Sequence, residues 1–156
     1  MQPIQQQLND IQDAVSQVLD FAKAAGATAA EASMSKVQGI SVTARMQDVE
    51  TVEFTNDGGL GIAVYVGQQK GSASTSDLSP DALKLTVEKA VAIAKHTERD
   101  DCNGLADAEL MAKEIVDCDL YHPVALDTEQ ALALALETEQ AALEVSDKIT
   151  NSDGAT

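Results

Sequence analysis

Hydrophobic positions near the start of the chain follow a helical period. Ile4, Leu8, Ile11, Val15, Val18, Leu19 and Ala22 recur at three- and four-residue steps, which is one apolar stripe of an α-helix. Gly26 then offers a left-handed cap to end it. From Ala29 onward the period becomes two. Ile40, Val42, Ala44 and Met46 alternate with Ser41, Thr43, Arg45 and Gln47, as in a half-buried strand.

Turn-forming residues punctuate the strand region: Gly39, the pair Gln47–Asp48, the run Asn56–Gly59, and Gly67–Gly71. Asn, Asp and Gly tolerate the positive φ that short hairpin turns require. The pattern predicts an antiparallel meander of about five strands, near 30–37, 39–46, 49–55, 59–66 and 70–76. Within the fourth, Leu60, Ile62, Val64 and Val66 share one face, opposite Gly61, Ala63 and Tyr65. Small or apolar residues on both faces mark a covered, central strand. The fifth sets Ser72, Ser74 and Ser76 against Gly71, Ala73 and Thr75, with almost no side chain to bury.

Helical spacing returns at Ser79, where a hydroxyl, then Pro80, then Asp81 form a strong start. Leu83, Val87, Ala90, Val91 and Ala94 carry this second helix to about His96. Beyond it lies an acidic, irregular stretch, with one short helix expected around Asp107–Lys113. Asp127 and Gln130 have the spacing of a capping box, opening a third helix through Leu132, Ala135, Leu136 and Leu143 to about Asp147. The fold class expected is α+β: about five antiparallel strands packed with about three main helices. Residues 1–147 are expected to form that domain. Residues 148–156 read as a strand entering a turn, the start of a truncated following domain or hairpin, which makes the chain an N-terminal piece of something longer.

Composition narrows the function classes. Hydrophobic residues make up 44% but aromatic residues only 3%, so Ala, Val, Leu and Ile must fill the core. The formal net charge is −16, and residues 98–156 hold 15 of the 26 acids but only 3 of the 10 bases. Such a surface repels a phosphate backbone, so direct nucleic-acid binding is not expected. No stretch approaches the ~18 apolar residues that span a bilayer, and no basic segment leads into an apolar run near the start. The expectation is a cytoplasmic protein with no membrane partner, with Cys102 and Cys118 as reduced thiols.

Candidate chemistry is sparse. His96, Cys102, Cys118 and His122 approach a metal-ligand set, but structural zinc sites place ligands in pairs two to four residues apart. Only Cys118 and His122 are close here, and packing or surface roles are the better reading. The glycines at 58, 59, 61, 67 and 71 sit in a hairpin, outside any strand-to-helix dinucleotide fingerprint. Ser72, Ser74 and Ser76 lack an identifiable base, and the acid pairs Glu50 with Glu53 and Asp100 with Asp101 read as solvated surface. No catalytic, cofactor-binding or metal residue is assigned. One functional reading of the small-residue strand stands: Ser72, Ala73, Ser74, Thr75 and Ser76 are the candidate peptide or subunit contact, by strand addition if the strand lies on an edge. The alternative is a strand packed beneath another domain.

The wording of "VETVEFTNDGGLGIAVYVGQQKGSASTSDLSP", Val49 to Pro80, resembles the N-terminal domain of the TldD/PmbA family, long labelled modulators of DNA gyrase. "GATAAEASMSKVQGISVTAR" at 26–45 and "KITNSDGA" at 148–155 extend the likeness. "DGGLGIAVY" and "KGSASTSDLSP" are similar to the PmbA (TldE) branch more than to the TldD branch. The resemblance implies a bacterial subunit of a metalloprotease complex that cuts unfolded peptides, with a TldD-type subunit as partner in a heterodimer or larger assembly, or else a homodimer. It places the metal ion, zinc by expectation, in the TldD-type subunit, whose His-Glu-x-x-x-His motif has no counterpart in this sequence. The reading that results is a non-catalytic domain for assembly and substrate channelling. Two rivals stand beside it: the full-length protein as a peptidase with its site beyond residue 156, and a standalone acidic peptide-docking module.

Overall fold

A computed structural model describes residues 4–156. The element order is α1 (Ile4–Ala24), β1 (Ala29–Arg45), β2 (Asp48–Val66), β3 (Gln69–Thr75), α2 (Pro80–His96) and α3 (Thr128–Leu143). The strands form one three-stranded antiparallel sheet in the order β1-β2-β3. The α+β class and the three main helices are therefore as the pattern predicts.

The five-strand expectation is corrected to three. The first two expected strands are one strand, β1, and the third and fourth are one strand, β2. Neither Gly39 nor any residue of Asn56–Gly59 takes a positive φ, so these glycines lie within extended backbone. Ladder pairing along the hairpin overrides their local turn preference. The short helix expected around Asp107–Lys113 is absent; that stretch holds only turns and bends. Residues 148–156 form no strand, only a single bridge between Ala44 and Ala155.

The backbone divides into two compact units. The boundary crosses β1 after Lys36 and β2 after Asp57. Unit 1 comprises Met1–Lys36 and Gly58–Glu114; unit 2 comprises Val37–Asp57 and Ile115–Thr156.

Unit 1 is an apolar sandwich of two helices on half a sheet. Val18 and Ala22 of α1, Leu60, Ile62 and Val64 of β2, and Leu83, Val87, Ala90, Val91 and Ala94 of α2 form its core. Each Leu or Val buried there contributes about 1.5–3 kcal/mol. Gly26, at φ +91°, caps α1: its amide donates to Lys23 O at 3.1 Å, and the Ala27 amide to Ala22 O at 3.0 Å. These are the paired bonds of a Schellman ending. Pro80 opens α2 as expected, but the Ser79 hydroxyl makes no cap bond. Instead the Asp77 carboxylate accepts the Ser79 amide at 2.9 Å, which holds its pKa below the usual value.

Gly71 explains why α2 lies so close to β3. A Cβ there would collide with the backbone of Ala90 and Ala94, so glycine facing alanine sets the helix-to-sheet separation. The small residues on this side of β3 serve packing.

Unit 2 is built differently. Its turn falls at Met46–Gln47, one residue earlier than the Gln47–Asp48 expected, with both residues left-handed at φ 51° and 61°. Two positive φ values are the signature of a type I′ hairpin turn, which normally demands Asn or Gly. The compensation comes from α3. The Met46 amide donates to Glu139 Oε1 at 2.8 Å and the Gln47 amide to Oε2 at 2.7 Å. Gln47 Nε2 adds bonds to Glu139 Oε2 at 3.1 Å and Leu136 O at 3.2 Å.

Glu139 is only 1% exposed, yet its pKa lies below the ordinary carboxylate value. The Gln47 amide is the main cause of its lowered pKa; burial opposes the shift, and the Ser152 side chain and Met46 amide assist it. Successive amides converging on an anion form a nest. The capping box that starts α3 is present in both directions: the Gln130 amide reaches Asp127 Oδ1 at 2.8 Å, and the Asp127 amide reaches Gln130 Oε1 at 3.1 Å. The helix stops at Leu143, short of the expected Asp147.

Candidate functional site

The register of β2 with β3 decides which side chains share a surface. Gly61 stands opposite Ser74, Ala63 opposite Ser72, and Tyr65 opposite Lys70, all on the sheet face away from the core. Ile62 opposite Ala73 and Val64 opposite Gly71 form the inward face. β1 continues the pattern: Ala30, Ala32 and Met34 pack inward, while Glu31, Ser33 and Ser35 are exposed.

A shallow, open groove runs over this outer face in unit 1. Glu31, Ser33, Gly61, Ala63, Ser72 and Ser74 line one part of it, and Gly59 and Ser76 lie in its continuation. The five residues singled out from sequence are thus split by the pleat. Ser72 and Ser74 look outward, Ala73 packs against the core, Thr75 alternates to the inward side, and Ser76 lies just past β3. β3 is an edge strand, paired only with β2. Sequence reasoning missed the contribution of Glu31, Ser33 and Ser35, although their alternation with Ala30, Ala32 and Met34 was a readable signal.

One end of the groove carries charge. The Tyr65 hydroxyl donates to Glu31 at 3.2 Å. Lys70 Nζ lies 4.0 Å from Glu31 and 5.5 Å from the centre of the Tyr65 ring. Tyr65 is itself only 3% exposed. The trio offers a carboxylate and an ammonium to a ligand, but each already partners the other, so it can orient a polar group without supplying a base or nucleophile.

The His and Cys residues fall elsewhere. Cys102 and Cys118 are free and exposed. His122 bonds the Asp119 carbonyl at 2.6 Å, and His96 ends α2. Among the described residues no group of three His, Cys, Asp or Glu side chains is placed to hold one metal ion. No helix among the described residues is long and apolar enough to cross a membrane.

Fold and face together define an α+β domain with one flat, polar, small-residue sheet surface. Residues 30–94 match the family described as PmbA/TldA metallopeptidase domain 1. "Metalloprotease PmbA homolog" of Haemophilus influenzae is 55% identical over 96% of this chain and 33% of its own length. "Metalloprotease PmbA" of Escherichia coli O157:H7 is 45% identical over 97% of this chain and 33% of its own. This chain belongs to the PmbA/TldD family, and it spans about one third of the length of these curated relatives.

Solved structures agree on the fold. A protein of Bacteroides thetaiotaomicron described as a modulator of DNA gyrase matches with TM-score 0.79 at 22% identity, over 90% of this chain and 32% of that one. TldE from Thermococcus kodakarensis matches with TM-score 0.52 at 16% identity, over 56% of this chain and 20% of that one.

Proposed function

We propose that this chain is the N-terminal domain of a PmbA-like, non-catalytic subunit of a TldD/TldE-type metalloprotease complex acting on unfolded peptides in the cytoplasm. Its part is assembly and substrate channelling. The observation that carries this reading is the outer sheet face: Ser72 and Ser74 beside Gly61 and Ala63, on an edge strand. Without bulky side chains such a face admits another backbone closely, and the free edge of β3 offers main-chain groups for strand addition. The metal ion, zinc by expectation, belongs to a TldD-type partner. Residues 148–156 lead into the following domain.

A second reading has one observation in its favour: the curated relatives are themselves named metalloproteases. In that case the full-length protein is a peptidase with its site beyond residue 156. A cleavage assay separates the two, using an unfolded peptide with added zinc and the full-length protein alone or mixed with its TldD-type partner. Cleavage only in the mixture supports the subunit reading. Cleavage by the protein alone, abolished by chelation, overturns it.

A further inference from the structure

Unit 2 carries large apolar side chains that nothing within the unit covers. Ile115 is 100% exposed, Leu120 88% and Phe54 75%, and Val116, Tyr121 and Val124 are also exposed. Residues 115–126 contain no helix or strand, and their apolar side chains are interleaved with Asp117 and Asp119. Single exposed leucines are ordinary, but five large apolar side chains exposed between residues 115 and 124 are a segment made to be covered.

We infer that the cover is the polypeptide that continues past Thr156 in a protein of its relatives' length. The inference rests on the reading of this chain as the first third of a longer subunit. Three observations select that occupant. Relatives matched along nearly all of this chain extend to about three times its length. The last residues are seated in unit 2 itself: Ala155 bridges Ala44, and the Thr156 hydroxyl lies 2.9 Å from that of Thr43. Continuing chain therefore departs from the unit that needs covering. A second copy of this chain is a poor occupant, because residues 98–156 set 15 acids against 3 bases, and Asp117 and Asp119 would face like charge. The covering segment is accordingly apolar with a basic rim.

Cys118, exposed between Val116 and Leu120, is a built-in probe. The experiment is thiol labelling of the full-length protein without any partner, read by mass spectrometry at residue 118. Labelling at least about tenfold slower than in the same protein unfolded in urea is the expected result. A rate equal to that of the unfolded protein overturns the inference. So does protection that arises only after the TldD-type subunit is added, because the cover then comes from another chain. The cleavage assay decides the subunit reading separately: a protein that cleaves alone and still shields Cys118 loses that reading and keeps this one.

Discussion

The two units of this chain are held by opposite means. Unit 1 buries Leu60, Ile62, Val64, Leu83, Val87 and their neighbours in one apolar core. In unit 2 the buried apolar side chains among the described residues are Val42, Ala44 and Ala135, and the largest fully buried side chain is the charged Glu139. Apolar burial is non-directional and survives small errors of geometry. A carboxylate caught by turn amides is directional, and it fails when either the charge or the turn is altered. Unit 1 is therefore specified by pattern and unit 2 by a few particular contacts.

The largest effect should come from overfilling unit 1. Gly71→Leu forces a side chain into the backbone of Ala90 and Ala94, where no flexible atom can yield. The expected cost is at least about 3 kcal/mol, seen as loss of protection from amide exchange through β3 and α2. Protection unchanged in both elements would show that α2 does not rest on β3 as described.

Next in size is the removal of charge from unit 2. Glu139→Gln keeps the shape but replaces a two-oxygen acceptor with one that presents an amide group to the Met46 or Gln47 amide. A melting temperature lower by roughly 5 °C or more is expected, with exchange faster at the hairpin turn and unchanged at Leu60–Val64. The same contacts set a pH dependence. Because Glu139 has a lowered pKa in the fold, its contribution is complete above its ordinary value of 4.5 and is lost as pH falls through the folded value. An acid titration of the turn amides should show this in the wild type, and Glu139→Gln should lack it.

The difference between the units also explains how much of each is legible in the sequence. The stripes Val18–Ala22 and Leu83–Ala94, and the Asp127–Gln130 box, are local patterns, and the structure carries them as expected. The strand count differs because Gly39 and Asn56–Gly59 have strong local turn preferences that long-range pairing overrides. A turn near residue 47 is legible, but its shift to Met46–Gln47 with two left-handed residues is not, because Glu139, which holds it, lies 92 and 93 residues away. The outer face is half legible: the alternation of Ser72 with Ala73 is visible, but which face meets α2 depends on register. Ala73 is consequently a poor probe of the surface, and Ser74 a good one.

A smaller effect is expected at Gly154. Its φ is +98°, and an added Cβ would stand 2.6 Å from the Ala44 carbonyl oxygen, against which the Ala155 amide bonds at 2.9 Å. Gly154→Ala should cost about 1–2 kcal/mol and release residues 152–156 from β1. Faster exchange of the Ala44 and Ala155 amides is the measurement. If those amides remain protected, the bridge is less constrained by Gly154 than its geometry requires.

The smallest effect on stability belongs to the outer face of unit 1, and there the functional consequence should be largest. Ser74 is exposed, opposite Gly61, and takes no part in the core. Ser74→Arg should leave the melting temperature within about 1 °C of wild type, since surface substitutions of this kind usually fall within about ±0.5 kcal/mol. A long charged side chain would nonetheless block close backbone approach across Gly61 and Ala63. On the subunit reading, peptide cleavage or assembly by the full-length protein mixed with a TldD-type subunit should drop about tenfold or more, the equivalent of about 1.4 kcal/mol. Ser74→Ala, which keeps the face flat, should behave as wild type. If Ser74→Arg also assembled and cleaved normally, the face would be neither a contact nor a peptide path. Only the inward small residues of β3, Gly71 and Ala73, would then have an explanation, in the approach of α2.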